Sequence, residues 1–359
     1  MAYVAVSGGE AAILASMDLT GLSRRGEPYF DPGLIEGHLK LLLDRVMSEA
    51  GLYGPSIAAA ALKQCEGSPE EAVFLLRAYR STLTREYYSR PLSLDNMRVL
   101  RRVSAVFKDI PGGQWLGPTY DYTHRLIQED APGARSLEKW LGEDVDPGGP
   151  AIFPRVVDIL REQGLMRASP DPEGDYFDIT KRPLLFPCPR SARLQALARG
   201  EAGFIIAMAY SFLRGHTVFH PNVGELRCGY VELLIDYPPE RRDTWYAGEI
   251  LLTEVDCFLP REAAGQSPER EKELRVAAGY GISFGRNETK AIAMSILDCT
   301  LDMPGDAPCH DSEFVLLSGD TLEMNGFVSH LKLPHYVTFQ SKLDRVREGM
   351  RREERRPAP

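Results

Sequence analysis

Gly229-Tyr230-Val231-Glu232-Leu233-Leu234-Ile235 and Ala247-Gly248-Glu249-Ile250-Leu251-Leu252-Thr253 flank a Pro238-Pro239 turn, and this stretch decides the fold class. Each run is short and rich in Val, Ile, Leu and Tyr, and the break between them is turn chemistry, so the two read as paired strands. Gly279-Tyr280-Gly281-Ile282-Ser283-Phe284-Gly285 reads as a third strand, and Glu288 to Leu301 carries apolar residues at helical spacing. The last third is therefore expected to be a mostly antiparallel sheet flanked by helices.

Upstream of the strands the pattern is helical. Arg193 to Arg214 reads as one helix, apolar and small-residue rich from Ala202 onward, and Ile152 to Gly164 as another. Turn-rich segments separate them: Asp130-Ala131-Pro132-Gly133, Asp146-Pro147-Gly148-Gly149-Pro150 and Ser169 to Asp175. Nearer the amino terminus, Leu34, Ile35, His38, Leu41, Leu42, Val46 and Met47 keep helical spacing. Ser68-Pro69-Glu70-Glu71 has the form of a helix start, with Ser68 as cap and Pro69 in the first turn. The fold expected is α+β: a mainly helical domain over 1–150, a mixed domain over 151–345 and a charged, disordered tail over 346–359.

A chain of 359 residues with 43% hydrophobic and 26% charged side chains has the composition of a globular protein. Its net charge of −9 argues against nucleic acid as a partner, because such binding relies on a basic surface. The amino terminus lacks the basic start and apolar core of a secretory signal, and no stretch is apolar enough to span a bilayer. Six cysteines occur without a C-x-x-C pair, as expected of reduced thiols in a cytoplasmic protein.

Four polar clusters are candidates for chemistry. In the run from Arg101 to Gln114, Gly112 and Gly113 beside Lys108 and Gln114 would let backbone N–H groups approach an anion, although the Walker spacing is absent. A helix-terminating turn explains the same residues equally well. Just beyond it, Tyr120, Asp121 and His124 place a donor, a carboxylate and a titratable base within one helical turn, and a capping Asp with a satisfied His is the competing explanation. Arg190 and Arg193 precede a helix, where guanidinium groups either clamp phosphate or form surface ion pairs. The run Arg214 to Arg227 offers His216, His220 and Glu225, with Gly215 and Pro221 favouring a loop. Finally, His330 and His335 are five residues apart, so they diverge on a helix and oppose on a strand. They meet only across a bend, and two imidazoles are too few to complete a zinc site.

Val4-Ala5-Val6 with Gly8-Gly9-Glu10, Leu75 to Arg80, Pro111-Gly112-Gly113-Gln114, Gly117 to Arg125, and Phe327 to Tyr336 together resemble the PhnI family of carbon-phosphorus lyase subunits. The resemblance implies a transferase in phosphonate catabolism. Acting with PhnG, PhnH and PhnL, such a subunit joins methylphosphonate to the ribose of MgATP and releases adenine, giving alpha-D-ribose 1-methylphosphonate 5-triphosphate. The family's S-H-L-K-L-P-H histidines are zinc ligands near the interface with PhnJ, and they correspond to His330 and His335. That chemistry calls for a carboxylate, a proton donor and cations on the triphosphate. Asp121 or Glu225 is assigned the first role, His124 the second, and Lys108, Arg190 and Arg193 the third. A subunit that mainly organises partners around an interface zinc, or a purine nucleosidase, remains the alternative.

Overall fold

The computed structural model describes residues 9–23, 30–127, 154–166, 176–215, 219–238, 243–262, 274–333 and 335–354. The boundary expected within 128–150, the turn-rich loop ending at Asp175, the charged run 269–273, His216 and the last five residues lie outside them. The chain forms two compact units, one from Pro32–Thr321 and one combining Met1–Asp31 with Leu322–Pro359.

The larger unit opens with α2 (Pro32–His38), α3 (Lys40–Ala50), α4 (Pro55–Gln64) and α5 (Pro69–Thr82), α1 (Gly9–Ser23) belonging to the smaller one. Val46, Met47, Leu62, Val73 and Leu76 are the buried positions that hold α3, α4 and α5 together. The Ser68 hydroxyl accepts the Glu71 N–H at the start of α5, as the sequence predicts.

Four strands form one antiparallel sheet in chain order: β1 (Arg98–Val103), β2 (Asn222–Asp236), β3 (Thr244–Glu262) and β4 (Leu274–Phe284). Tyr230 pairs with Leu251 and Glu254 with Ile282. The odd residues Val255, Cys257 and Leu259 of β3 join a core with α8 (Ala202–Gly215) and α9 (Glu288–Thr300), including Phe212, Met294 and Leu297. On the opposite face Phe258 packs against Val156, Val157 and Leu160, all of which lie on α6 (Val156–Glu162). The main fold is thus α+β, with the sheet covered on both sides.

Three elements differ from expectation, one of them the charged tail, which is helical from 346 to Glu354 and not disordered. β1 lies in the third of the chain that reads as helical, because its buried residues are Arg101 and Arg102, whose polarity hides a strand from any hydrophobic pattern. The single helix expected over Arg193 to Arg214 is two, α7 (Arg190–Arg199) and α8. Gly200 takes an extended conformation between them, and the Glu201 carboxylate accepts the Gly203 and Phe204 N–H groups at 2.9 and 2.6 Å, restarting the chain as a new capped helix. The remaining described helices are α10 (Ser312–Ser318), α11 (Thr321–Ser329) and α12 (Tyr336–Glu354). No helix among the described residues is long and apolar enough to cross a membrane.

Candidate functional site

Arg101 sits on β1 with its side chain almost wholly buried, and it reaches two carboxylates from different parts of the chain. Its Nη2 donates to Asp121 Oδ2 at 2.5 Å, its Nη1 to the Leu116 carbonyl at 2.7 Å, and its Nε lies 2.7 Å from Glu288 Oε1. That last contact is an ion pair whose N–H points out of line, so Nε remains without a formal hydrogen bond. Asp121 is half exposed, whereas Glu288, in the first turn of α9, is largely covered. Burial pushes the Glu288 carboxyl above its ordinary range; Arg101 pulls it down, and the negative Asp121 pushes it up again. One buried guanidinium therefore holds an open carboxylate beside a carboxyl biased toward its protonated form. This is the arrangement that acid-assisted bond cleavage uses.

The loop following β1 is a fixed scaffold for Asp121. Arg102 and Trp115 exchange both backbone hydrogen bonds, at 2.8 and 2.7 Å. Gln114 spends its amide inside the loop, accepting from Ser104 N and donating to the Phe107 and Lys108 carbonyls. Gly112 and Gly113 have φ of +85° and +78°, as a tight turn demands. Lys108, Tyr120 and His124 are exposed. The segment carrying Tyr120, Asp121 and His124 is a series of turns and not the helical turn expected. Thr119 Oγ1 accepts the Asp121 N–H and Thr123 Oγ1 donates to the Tyr120 carbonyl, local bonds that compete with a helix.

The other assigned residues lie elsewhere. Glu225 on β2 is buried, with Oε1 2.6 Å from Arg102 Nε on β1 and Oε2 accepting Val156 N–H at 3.0 Å, so one oxygen joins neighbouring strands and the other ties α6 to the sheet. Arg190 and Arg193 both pair with the buried Asp298 of α9, and Arg193 also takes both oxygens of Asp302. Arg193 and Asp302 line a polar cavity of about 590 Å³ with His310 and Asp311. His220 is exposed on the approach to β2. The sequence reading missed Arg101 and Glu288. The only signals were a cation in the middle of a Val- and Leu-containing run and an acid opening a helix.

His330 and His335 belong to the smaller unit, and the bend they require is present. α11 ends in a 3-10 turn over His330–Lys332, Leu333 is extended, and the two rings meet edge to face with centroids 5.3 Å apart. His330 Nδ1 donates to the Phe327 carbonyl and His335 Nδ1 to the Leu333 carbonyl at 2.6 Å. A carbonyl only accepts, so each Nδ1 carries a proton, which leaves Nε2 as the nitrogen that a metal would take. The pair fits half of a zinc ligand set. Among the described residues no third His, Cys, Asp or Glu is grouped with it.

The sequence matches the family model of a bacterial phosphonate metabolism protein, PhnI, over residues 2–354. It is 44% identical over 355 residues to alpha-D-ribose 1-methylphosphonate 5-triphosphate synthase subunit PhnI of Escherichia coli (strain K12), covering 95% of this chain and 96% of that one. The subunit of the same name from Rhizobium meliloti (strain 1021) is 45% identical, with 98% and 95% covered. A putative C-P lyase subunit protein, HtxH, from Stutzerimonas stutzeri is 44% identical, with 97% and 95% covered. With a match that runs nearly end to end, the chain belongs to the PhnI family of bacterial phosphonate metabolism proteins.

Proposed function

We propose that this chain is the ribosyl-transferring subunit of a carbon-phosphorus lyase system. With partner subunits it displaces adenine from MgATP by methylphosphonate, giving alpha-D-ribose 1-methylphosphonate 5-triphosphate. The observation that carries the reading is the near-complete match to two synthase subunits named for that product.

In this reaction the bond from ribose C1 to adenine breaks as a phosphonate oxygen bonds to C1, and the departing base takes up a proton. Positive charge grows on the sugar, where the half-exposed Asp121 carboxylate stabilises it. Glu288, held toward its protonated form, supplies the proton to adenine, and Arg101 keeps both carboxyls in place. This moves the donor role from His124 to Glu288; His124, Tyr120 and Lys108 are on the same exposed loop and are left to contact substrate. Mg²⁺ enters with the nucleotide. His330 and His335 would hold a zinc ion together with ligands from a neighbouring subunit, and that zinc would supply Lewis-acid charge. PhnG, PhnH, PhnJ and PhnL are the partners this reading names, in the cytoplasm.

The test is adenine release from MgATP and methylphosphonate by the assembled complex. Asp121→Asn and Glu288→Gln are each expected to lower it about 10²-fold or more with assembly intact. Unchanged turnover in both would remove the pair from the mechanism, and no adenine release by the wild-type complex would remove the function. Release by the chain alone, independent of phosphonate, would instead favour the nucleosidase.

A further inference from the structure

Glu288 is bracketed in sequence by two residues that α3 holds in place. Asp44 and Ser48 lie one turn apart on α3, so they share a face, and both are buried. Asp44 Oδ2 accepts the Arg286 N–H at 2.9 Å, two residues before Glu288, and Ser48 Oγ accepts from Lys290 Nζ at 3.3 Å, two residues after it. Lys290 also donates to the Ala198 carbonyl of α7 at 2.7 Å. The turn between β4 and α9 is shaped for the first of these contacts. Gly285 takes φ +68°, and a Cβ there would lie 2.0 Å from Asp44 Cγ, so glycine is what leaves room for the carboxyl. β3 holds the same turn from the sheet, where the Leu251 carbonyl accepts the Gly285 N–H at 2.8 Å and Thr253 Oγ1 donates to the Gly285 carbonyl at 2.6 Å.

We propose that Asp44 is a positioning residue for the ribosyl transfer: with Ser48 it clamps the start of α9 so that the Glu288 carboxyl stays against Arg101, beside Asp121. The inference rests on the acid role given to Glu288. Enclosing a carboxyl and an ammonium at this junction costs stability, and burial pushes Asp44 up and Lys290 down to about 8. An apolar side chain would fill position 44 without that cost. It would leave the Arg286 N–H unanswered and the turn that carries Glu288 free to shift.

The test compares Asp44→Asn with Asp44→Ala. Both lose the negative charge, and only the asparagine keeps an oxygen that accepts the Arg286 N–H, so a difference between them reports position and not charge. In the full chain labelled with carbon-13 glutamate, the Glu288 carboxyl is identified by its absence in Glu288→Gln and titrated by NMR; Arg101, Asp121 and Arg286 are the charged groups that act on it. In Asp44→Ala the titration is expected to move toward the ordinary glutamate value as the loosened turn admits water, and in Asp44→Asn to stay closer to wild type. In the assembled complex, Asp44→Ala is expected to lower kcat for adenine release about tenfold or more with little change in KM for MgATP, and Asp44→Asn to restore most of it. Ser48→Ala removes the other arm without changing charge, so it serves if Asp44→Ala does not fold, and its titration is expected to move the same way. Equal titrations and equal kcat in Asp44→Asn and Asp44→Ala, or a Glu288 titration unmoved by alanine at either position, would overturn the proposal. A titration that separates the variants while the wild-type complex releases no adenine would keep the clamp on Glu288 and remove the ribosyl transfer.

Discussion

Lys290 illustrates how much one side chain of α9 contributes to the behaviour of the protein. Its ammonium is completely enclosed, donating to the Ala198 carbonyl at 2.7 Å and to Ser48 Oγ at 3.3 Å, and burial pulls it down to about 8. An unfolded chain keeps this lysine protonated to about pH 10.4, so between pH 8 and that value the unfolded state binds more protons than the native one. Stability from this group therefore rises with pH across that window, by about 3 kcal/mol in all. Lys290→Met is expected to flatten the rise, as read from urea midpoints at pH 8 and pH 10.5; an unaltered slope would assign it to other groups. At the candidate site, a protonated Glu288 makes activity fall as pH rises through its raised value, and Glu288→Gln is expected to abolish that limb of the pH-rate profile of the complex. Asp121 was legible in the sequence because it stands in a dense polar run. Its companions were not, since Arg101 and Glu288 meet it only through the pairing of β1 and the docking of α9 on β4.

That docking depends on bare backbone at the scale of the element. A Cβ on Gly279 would lie 1.9 Å from the Ser295 carbonyl oxygen, and one on Gly281 1.9 Å from that of Ala291, so α9 rests directly on β4 at two successive turns. Gly281→Ala is expected to cost about 2 kcal/mol or more in chemical denaturation and to lower turnover in the complex by displacing Glu288. Ser68→Ala at the start of α5, a residue outside the Asp121 and histidine clusters, is expected to cost about 1 kcal/mol and leave turnover unchanged. β2 and β3 were readable because each holds a run rich in Val, Ile, Leu and Tyr, and turn chemistry separates the two. β1 was not, because its inward residues are arginines compensated by acids distant in sequence. The break at Gly200 was also hidden, since the apolar spacing continues across it.

For the whole molecule the dominant fact is unused apolar surface in the unit that carries the histidine pair. Ile13, Leu14, Met17 and Leu22 of α1, Phe327 and Val328 of α11 and Phe339 of α12 are all half exposed or more. Faces of this kind fit a subunit made to be covered by another chain. Metal analysis of the co-expressed complex is expected to find zinc in the wild type and a loss in His335→Ala; equal zinc in both would sink the assignment. The pair of hydrogen bonds between Arg102 and Trp115 has an effect of its own at this scale. β1 is the outermost strand, and the loop that presents Asp121 lies along its outer rung as a guard rail. Were that loop peeled away, its amides would be open to strand addition by another chain. The same two bonds therefore hold the Asp121 loop in place and cover this edge of the sheet.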